Sequence, residues 1–392
     1  MVKYLPRFSK QFILQITLYL FVNALFILKY TPRVDFAPFV FLPIYVAIIL
    51  TTYFLYKKYA EKLSQKVYKY LSWSLLGLFV VAIAVALICI DPYSVRVDRW
   101  SAVSFFLDAF FHGDYPYAVH THVSETNFPS PFPVWHFINL PFYLVGDVGI
   151  GLIFFIILTF VGVRMFFNSY QKSFFFLLLL FLSPAYWWEV AVRSDSLSNA
   201  FLVFFVILWF SKNKFTLEKN FWLSVTVCGL IAATRLSAIL PVALFLFKPY
   251  IHLSWSKKIV FPLGILGLVL LVFLPFIFWD TTHWVFFSRN PFMSQTSIGN
   301  PLILLVMVAF GAMLALKWKD MEQYFNYTAI FLFVFILSSQ IGLMFTRGIN
   351  GSIFMDSTYD VSYFTLLLPY VIMSLAGFET NKTQLTSYSA NS

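Results

Sequence analysis

Four aspartates, Asp91, Asp98, Asp108 and Asp114, stand in one stretch of sequence with His112, His120, His122 and Glu125. A carboxylate held by suitable partners acts as general base towards a hydroxyl, which is the first chemistry this stretch offers. The competing role is structural. Such acids cap helices and solvate loops, and Asp98 stands where a helix would take an N-cap. His120-x-His122-x-x-Glu125 supplies metal-ligand types, at loose spacing and in a loop. Arg235 is the second chemical landmark, because it interrupts the apolar stretch 221–246 in LIAATRLSAILPVAL. A charge at membrane depth is expensive and marks a function or a tight pair. If the chain turns there, Arg235 instead lies at a rim where its head reaches headgroups.

The elements that position these residues must be helices in lipid. Hydrophobic residues make up 60% of the chain and charged residues 11%, with a mean hydropathy of +0.80. Soluble domains carry about twice that charged fraction. Lipid leaves no partner for exposed backbone groups, so apolar runs that cross a core of about 30 Å are helical. Spans read at 12–28, 37–56, 71–90, 148–167, 174–187, 197–211, 221–234, 237–248, 259–279, 300–317, 326–344 and 361–378. The expected fold is all-α, a polytopic transmembrane helical bundle of about 12 spans. Residues 1–378 form a single domain in this reading, with 91–147 as its long external loop and 379–392 as a polar, disordered cytoplasmic tail. Cys89 and Cys228 both fall inside predicted spans, which argues against a disulfide framework and a thiolate metal site. No short apolar run is followed by a small-residue cleavage site, so no removable signal peptide is expected.

The net charge of +10 suggests nucleic acid, but its distribution points to a membrane. With these spans, 19 of the 27 Lys and Arg share a side with both termini, against 5 of the 17 acids. The basic side is cytoplasmic by the positive-inside rule. The external basic residues are Lys29 and seven arginines: Arg33, Arg96, Arg99, Arg193, Arg235, Arg289 and Arg347. Lysine serves as a hydrated topological anchor, whereas the arginine fork matches phosphate or carboxylate. These arginines either pair with the external acids or form a site for an anion.

Within the long loop, Trp100, Val103, Leu107 and Phe110 share one helical stripe, and Ser101, Ser104, Asp108 and His112 another. Asp98 fits an N-cap and Gly113 a stop, which predicts an interfacial helix of about fourteen residues. The Pro-rich segment 128–147, FPSPFPVWHFINLPFYLVGD, predicts a surface or half-buried helix after a turn.

Together these pieces resemble the GT-C superfamily of membrane glycosyltransferases. VRVDRWSAVSFFLDAFFHGDYPY (95–117) is similar to the family's first external loop, with an Asp after a span, an interfacial helix and then G-x-x-PY. SPFPVWHFINLPFYLVGD is similar to its Pro-rich segment and later Gly-Asp, RSDSL (193–197) to its Arg-x-Asp element, and AATRLSAILP (232–241) to its Thr-Lys/Arg turn. DVSYFTLLLPY (360–370) is similar to its final Tyr-rich motif but lacks the usual Arg before the Tyr. The order of motifs, across about residues 71–378, is similar to that of a eukaryotic mannosyltransferase of the superfamily that acts on GPI precursors. Two extra spans precede the acidic motif here, and its aspartates are spaced rather than adjacent, so Asp98 and Asp91 both remain candidate bases.

The resemblance implies transfer of a sugar from a polyprenyl-phosphate donor to an acceptor hydroxyl on the external face. The acceptor is a glycan, lipid or protein, and nucleic acid is not a partner. Asp98 or Asp91 would be catalytic, and Arg235, Arg289 and Arg193 would bind the donor phosphate. Asp108, Asp114, Tyr117 and His122 would shape the acceptor side of the loop. No nucleotide or redox cofactor is required, and a divalent metal at Asp91 is the remaining option. High Phe and Lys with few Gly fits a bacterial plasma membrane. The rival readings are a 12-span secondary transporter, a polymerase or ligase using a diphosphate-linked chain, and a scaffold with no site.

Overall fold

The computed structural model describes residues 9–35, 37–296, 300–355 and 360–377, and among them the chain is helical with no named strand. In chain order the first nine helices are α1 (Lys10–Tyr30), α2 (Pro38–Tyr59), α3 (Gln65–Cys89), α4 (Arg99–His112), α5 (Pro133–Leu144), α6 (Gly151–Phe167), α7 (Tyr170–Phe181), α8 (Pro184–Ala191) and α9 (Asp195–Lys212). There follow α10 (Phe221–Ala232), α11 (Ile239–Ile251), α12 (Trp255–Ile277), α13 (Val285–Ser288), α14 (Pro291–Thr296), α15 (Pro301–Lys317), α16 (Met321–Ile349) and α17 (Leu368–Gly377).

Among the described residues, α1, α2, α3, α6, α9, α12 and α16 belong to seven helices long and apolar enough to cross a membrane. Two bent pairs, α7 with α8 at 66° and α13–α14 with α15, raise the number to nine. The expected twelve spans are therefore corrected to seven, or up to nine. The difference lies at 221–234, 237–248 and 361–378. Even with the 3-10 turns that lead into α11 and α17, the apolar helices there have 10–17 residues, against about 20 for a helical span. Apolar composition continues through turns that helical geometry does not.

The chain packs as two compact units interleaved in sequence. One comprises 1–78, 163–188 and 318–392. In its interior the Tyr19 hydroxyl donates to Leu179 O, and the Asn23 side-chain oxygen accepts from Ser183 Oγ (2.6 Å) and the Ala185 N–H (3.2 Å). Asn23 thereby satisfies a donor at the start of α8, where the first helical N–H groups lack intrahelical partners. Lys29 and Tyr30 both bond to Asp360. The expected tail from Glu379 lies outside the described residues.

The other unit comprises 79–162 and 189–317 and holds most of the candidate site residues. In it α10 runs against α12 through glycines. A Cβ on Gly264 would stand 2.7 Å from Val225 Cγ1, and one on Gly229 would stand 3.1 Å from Leu268 Cβ. Small residues permit this approach in lipid, where packing rather than hydrophobicity holds helices together. Helix α4 starts after Asp98 and ends at Gly113, whose φ of +82° suits glycine. Its polar stripe differs from the expectation, since Ser101 is buried with Ala102, Val103, Phe106, Leu107 and Ala109. The reason is a hydroxyl that bonds inward, as the site geometry shows.

Candidate active site

The two candidate bases are held differently. Asp91 is exposed, and its Oδ1 accepts the Tyr93 N–H at 3.0 Å, capping the 3-10 turn Pro92–Ser94. Asp98 is half-buried at the N-cap position of α4, yet its side chain makes no capping bond. Its carbonyl serves the first turn instead, accepting from Ala102 N (2.7 Å) and Ser101 Oγ (3.1 Å). Desolvation pushes the Asp98 pKa above the usual carboxylate value. Arg99 and His122 pull it back, and the Asp195 carboxylate raises it.

His122 fixes the segment that carries Asp98. Its Nδ1 lies 2.6 Å from Ser101 Oγ and its Nε2 2.9 Å from Val95 O. One imidazole thus ties the strand-like run before α4 to the helix itself. Both ring nitrogens are engaged, while His120 and Glu125 are exposed. Among the described residues no three of His, Cys, Asp and Glu are gathered to hold a metal.

Three of the candidate arginines are committed to acids. Arg99 Nη1 bonds Glu189 Oε2 and Ser194 Oγ, each at 2.7 Å. Arg193 Nη1 meets Asp147 Oδ2 at 2.8 Å, while its Nη2 donates to Leu87 O (2.7 Å) and Ile90 O (2.9 Å) at the end of α3. Arg193 takes a left-handed φ of +50°, unusual outside glycine, so this clamp holds a strained backbone. Arg235 Nη2 pairs with Asp195 Oδ2, and both residues are buried. Arg289 differs: it is exposed, its guanidinium sits 4.0 Å from the Phe128 ring centroid, and among the described residues it has no acidic partner.

The loops around these charges are sewn together. Phe132 N donates to Thr234 O (2.9 Å) and Val134 N to Ala233 O (3.2 Å), docking the start of α5 on the turn before Arg235. Gln295 accepts the Leu236 N–H at 2.8 Å and donates to Ser130 O at 2.5 Å. The Tyr115 hydroxyl donates to Arg289 O at 2.8 Å. Of the remaining expected loop residues, Tyr117 is buried with its hydroxyl on Pro131 O (3.2 Å), and Asp114 is exposed. Asp108 accepts from Tyr143, whose phenol is pushed up to about 12 chiefly by that bond.

Sequence reasoning passed over Asp195, Glu189, Asp147, His136 and Asn199 as site residues. His136 stacks on Phe106 at 3.6 Å with Nε2 3.1 Å from Pro131 O. Burial pushes its pKa down to about 3, and the Arg235 charge pushes the same way against the Pro131 carbonyl. The ring is therefore neutral, with its proton on Nε2. The signal that could have found Asp195 and Glu189 is an acid inside or beside an apolar run, the same signal that exposed Arg235. Comparison with family models, curated proteins and solved structures finds no match to this chain.

Proposed function

We propose that the protein transfers a sugar from a polyprenyl-phosphate donor to an acceptor hydroxyl at the external membrane face, as a GT-C-like enzyme. The observation that carries this reading is Asp98: a half-buried carboxylate at a helix start that caps nothing, with Arg99, His122 and Asp195 close enough to tune its charge. A raised carboxylate pKa brings a general base nearer to working pH. The acceptor O–H proton passes to Asp98, and the acceptor oxygen bonds the anomeric carbon. The bond from that carbon to the phosphate oxygen breaks, and the polyprenyl phosphate leaves with the negative charge. Arg289, exposed and without an acidic partner among the described residues, is best suited to meet that phosphate. Arg235 and Arg193 contribute their fields while holding Asp195 and Asp147.

Both termini lie in the cytoplasm in this reading. The Lys bias supports that placement, since the positive-inside rule turns Lys-rich loops towards the cytoplasm, as in a bacterial plasma membrane.

A secondary transporter is the second reading, favoured by the two bent helix pairs, since broken helices line carrier sites. Transfer by detergent-purified protein from radiolabelled polyprenyl-phosphate sugars separates the two. The expected result is transfer by wild type, with Arg289→Ala raising the donor KM roughly tenfold or more through loss of a charge-assisted bond. Absence of transfer together with liposome uptake of a solute would favour the carrier.

A further inference from the structure

Several buried polar atoms of the unit that carries Asp98 have no partner among the described residues, and four of them are Asp195 Oδ1, Asn199 Nδ2, Arg235 Nε and His136 Nδ1. Their residues are 6%, 2%, 8% and 0% exposed. Nearly all buried polar atoms in proteins are bonded, so a cluster of four unpartnered ones calls for an occupant.

The four belong to one neighbourhood. Arg235 pairs with Asp195, and Asn199 follows Asp195 by four residues on α9, which places both on one face of that helix. His136 feels the charge of Arg235, and α5 is bonded to the turn just before Arg235. Asp98 in turn feels the charge of Asp195.

The chemistry of the set is balanced. Asn199 Nδ2 and Arg235 Nε are donors. Asp195 Oδ1 is an acceptor, and so is His136 Nδ1, because the proton sits on Nε2 against the Pro131 carbonyl. A phosphate would want donors only, an ammonium acceptors only, and a prenyl chain neither. Two hydroxyls each donate one bond and accept one, so a hydroxyl pair satisfies all four atoms.

We propose that Asp195, Asn199, Arg235 and His136 form a subsite for two neighbouring hydroxyls of the transferred sugar ring, held beside Asp98. This identifies what the proposed transferase reads in its donor, and the choice of hexose rests on that reading. The subsite works without ion exchange, since the Arg235–Asp195 pair stays intact and each partner offers its spare atom.

Direct binding tests it. Saturation-transfer NMR is run on the detergent-purified full chain with mannose, glucose and galactose 1-phosphates and their monodeoxy forms. The expected result is binding of at least one hexose phosphate, weakened about tenfold by removal of either of two adjacent hydroxyls. Asn199→Leu and His136→Phe, the latter retaining a ring to stack on Phe106, weaken the parent sugar to the level of its deoxy forms. Neither variant weakens the deoxy forms further. Asn199→Leu also melts no lower than wild type without sugar, because it removes an unpartnered buried amide N–H, whereas His136→Phe gives up the bond to Pro131 O and is read by binding alone.

Unchanged binding in both variants, or equal weakening across the whole panel, overturns the subsite and leaves buried water as the occupant. No binding of any hexose phosphate to wild type overturns it as well. Transfer from polyprenyl-phosphate sugars, measured separately, is independent: binding without transfer ends the transferase reading alone, and transfer indifferent to every deoxy donor ends the subsite alone.

Discussion

An aspartate at an N-cap ordinarily stabilises its helix by about 1 kcal/mol through the bond its side chain accepts from the first turn. Asp98 makes no such bond, and desolvation raises its pKa in the fold. Its folded pKa therefore exceeds its unfolded one. The stability this group contributes is complete below the unfolded pKa and lost as pH rises through the folded value. Asp98→Asn is expected to melt no lower than wild type at neutral pH and to flatten that part of the stability–pH curve, checked by thermal unfolding across pH 3–8. A lower midpoint for the variant would show that the carboxylate is structural. Arg235 behaves oppositely. Arg235→Ala strands a buried Asp195 and should cost about 3–5 kcal/mol, whereas Arg235→Met with Asp195→Leu should recover most of it. A double-mutant cycle of unfolding midpoints checks this. At this scale the sequence exposed Arg235 as a charge needing a reason, but its partner, forty residues earlier, was set by tertiary packing that no local pattern encodes.

At the scale of elements, α4 was legible from end to end because its signals are local: Asp98 at the start, Gly113 at the stop. The burial of Ser101 was not, because it depends on His122 arriving from twenty-one residues away. The ends of α10 and α11 were read to within three residues and the turn at Arg235 was seen; what was overstated was their capacity to cross a membrane, which their length denies. That turn is held by Gln295, which also holds the loop before α5. Gln295→Ala removes two hydrogen bonds and should cost roughly 1–3 kcal/mol. Hydrogen exchange should quicken at Leu236 and at the amides docking α5, while α1 keeps its protection. Uniform quickening throughout the chain would contradict a local latch.

At the scale of the molecule, class was written in composition: an all-helical chain with at least seven apolar helices is what 60% hydrophobic and 11% charged residues demand. Orientation rests on the Lys bias alone. Single cysteines introduced in a Cys89→Ser, Cys228→Ala background test it. An impermeant maleimide applied to whole cells should label positions 114 and 125 but not 62 or 214, and the reverse pattern would invert the topology. The central claim is that Asp98 accepts a proton during sugar transfer. Its most direct test is transfer from radiolabelled polyprenyl-phosphate sugars by purified wild type beside Asp98→Asn and Asp91→Asn. The account predicts a loss of about 10²–10⁴-fold in Asp98→Asn, a rate for wild type that falls as acid protonates Asp98, and little change in Asp91→Asn. Transfer that survives Asp98→Asn at the wild-type rate would contradict it.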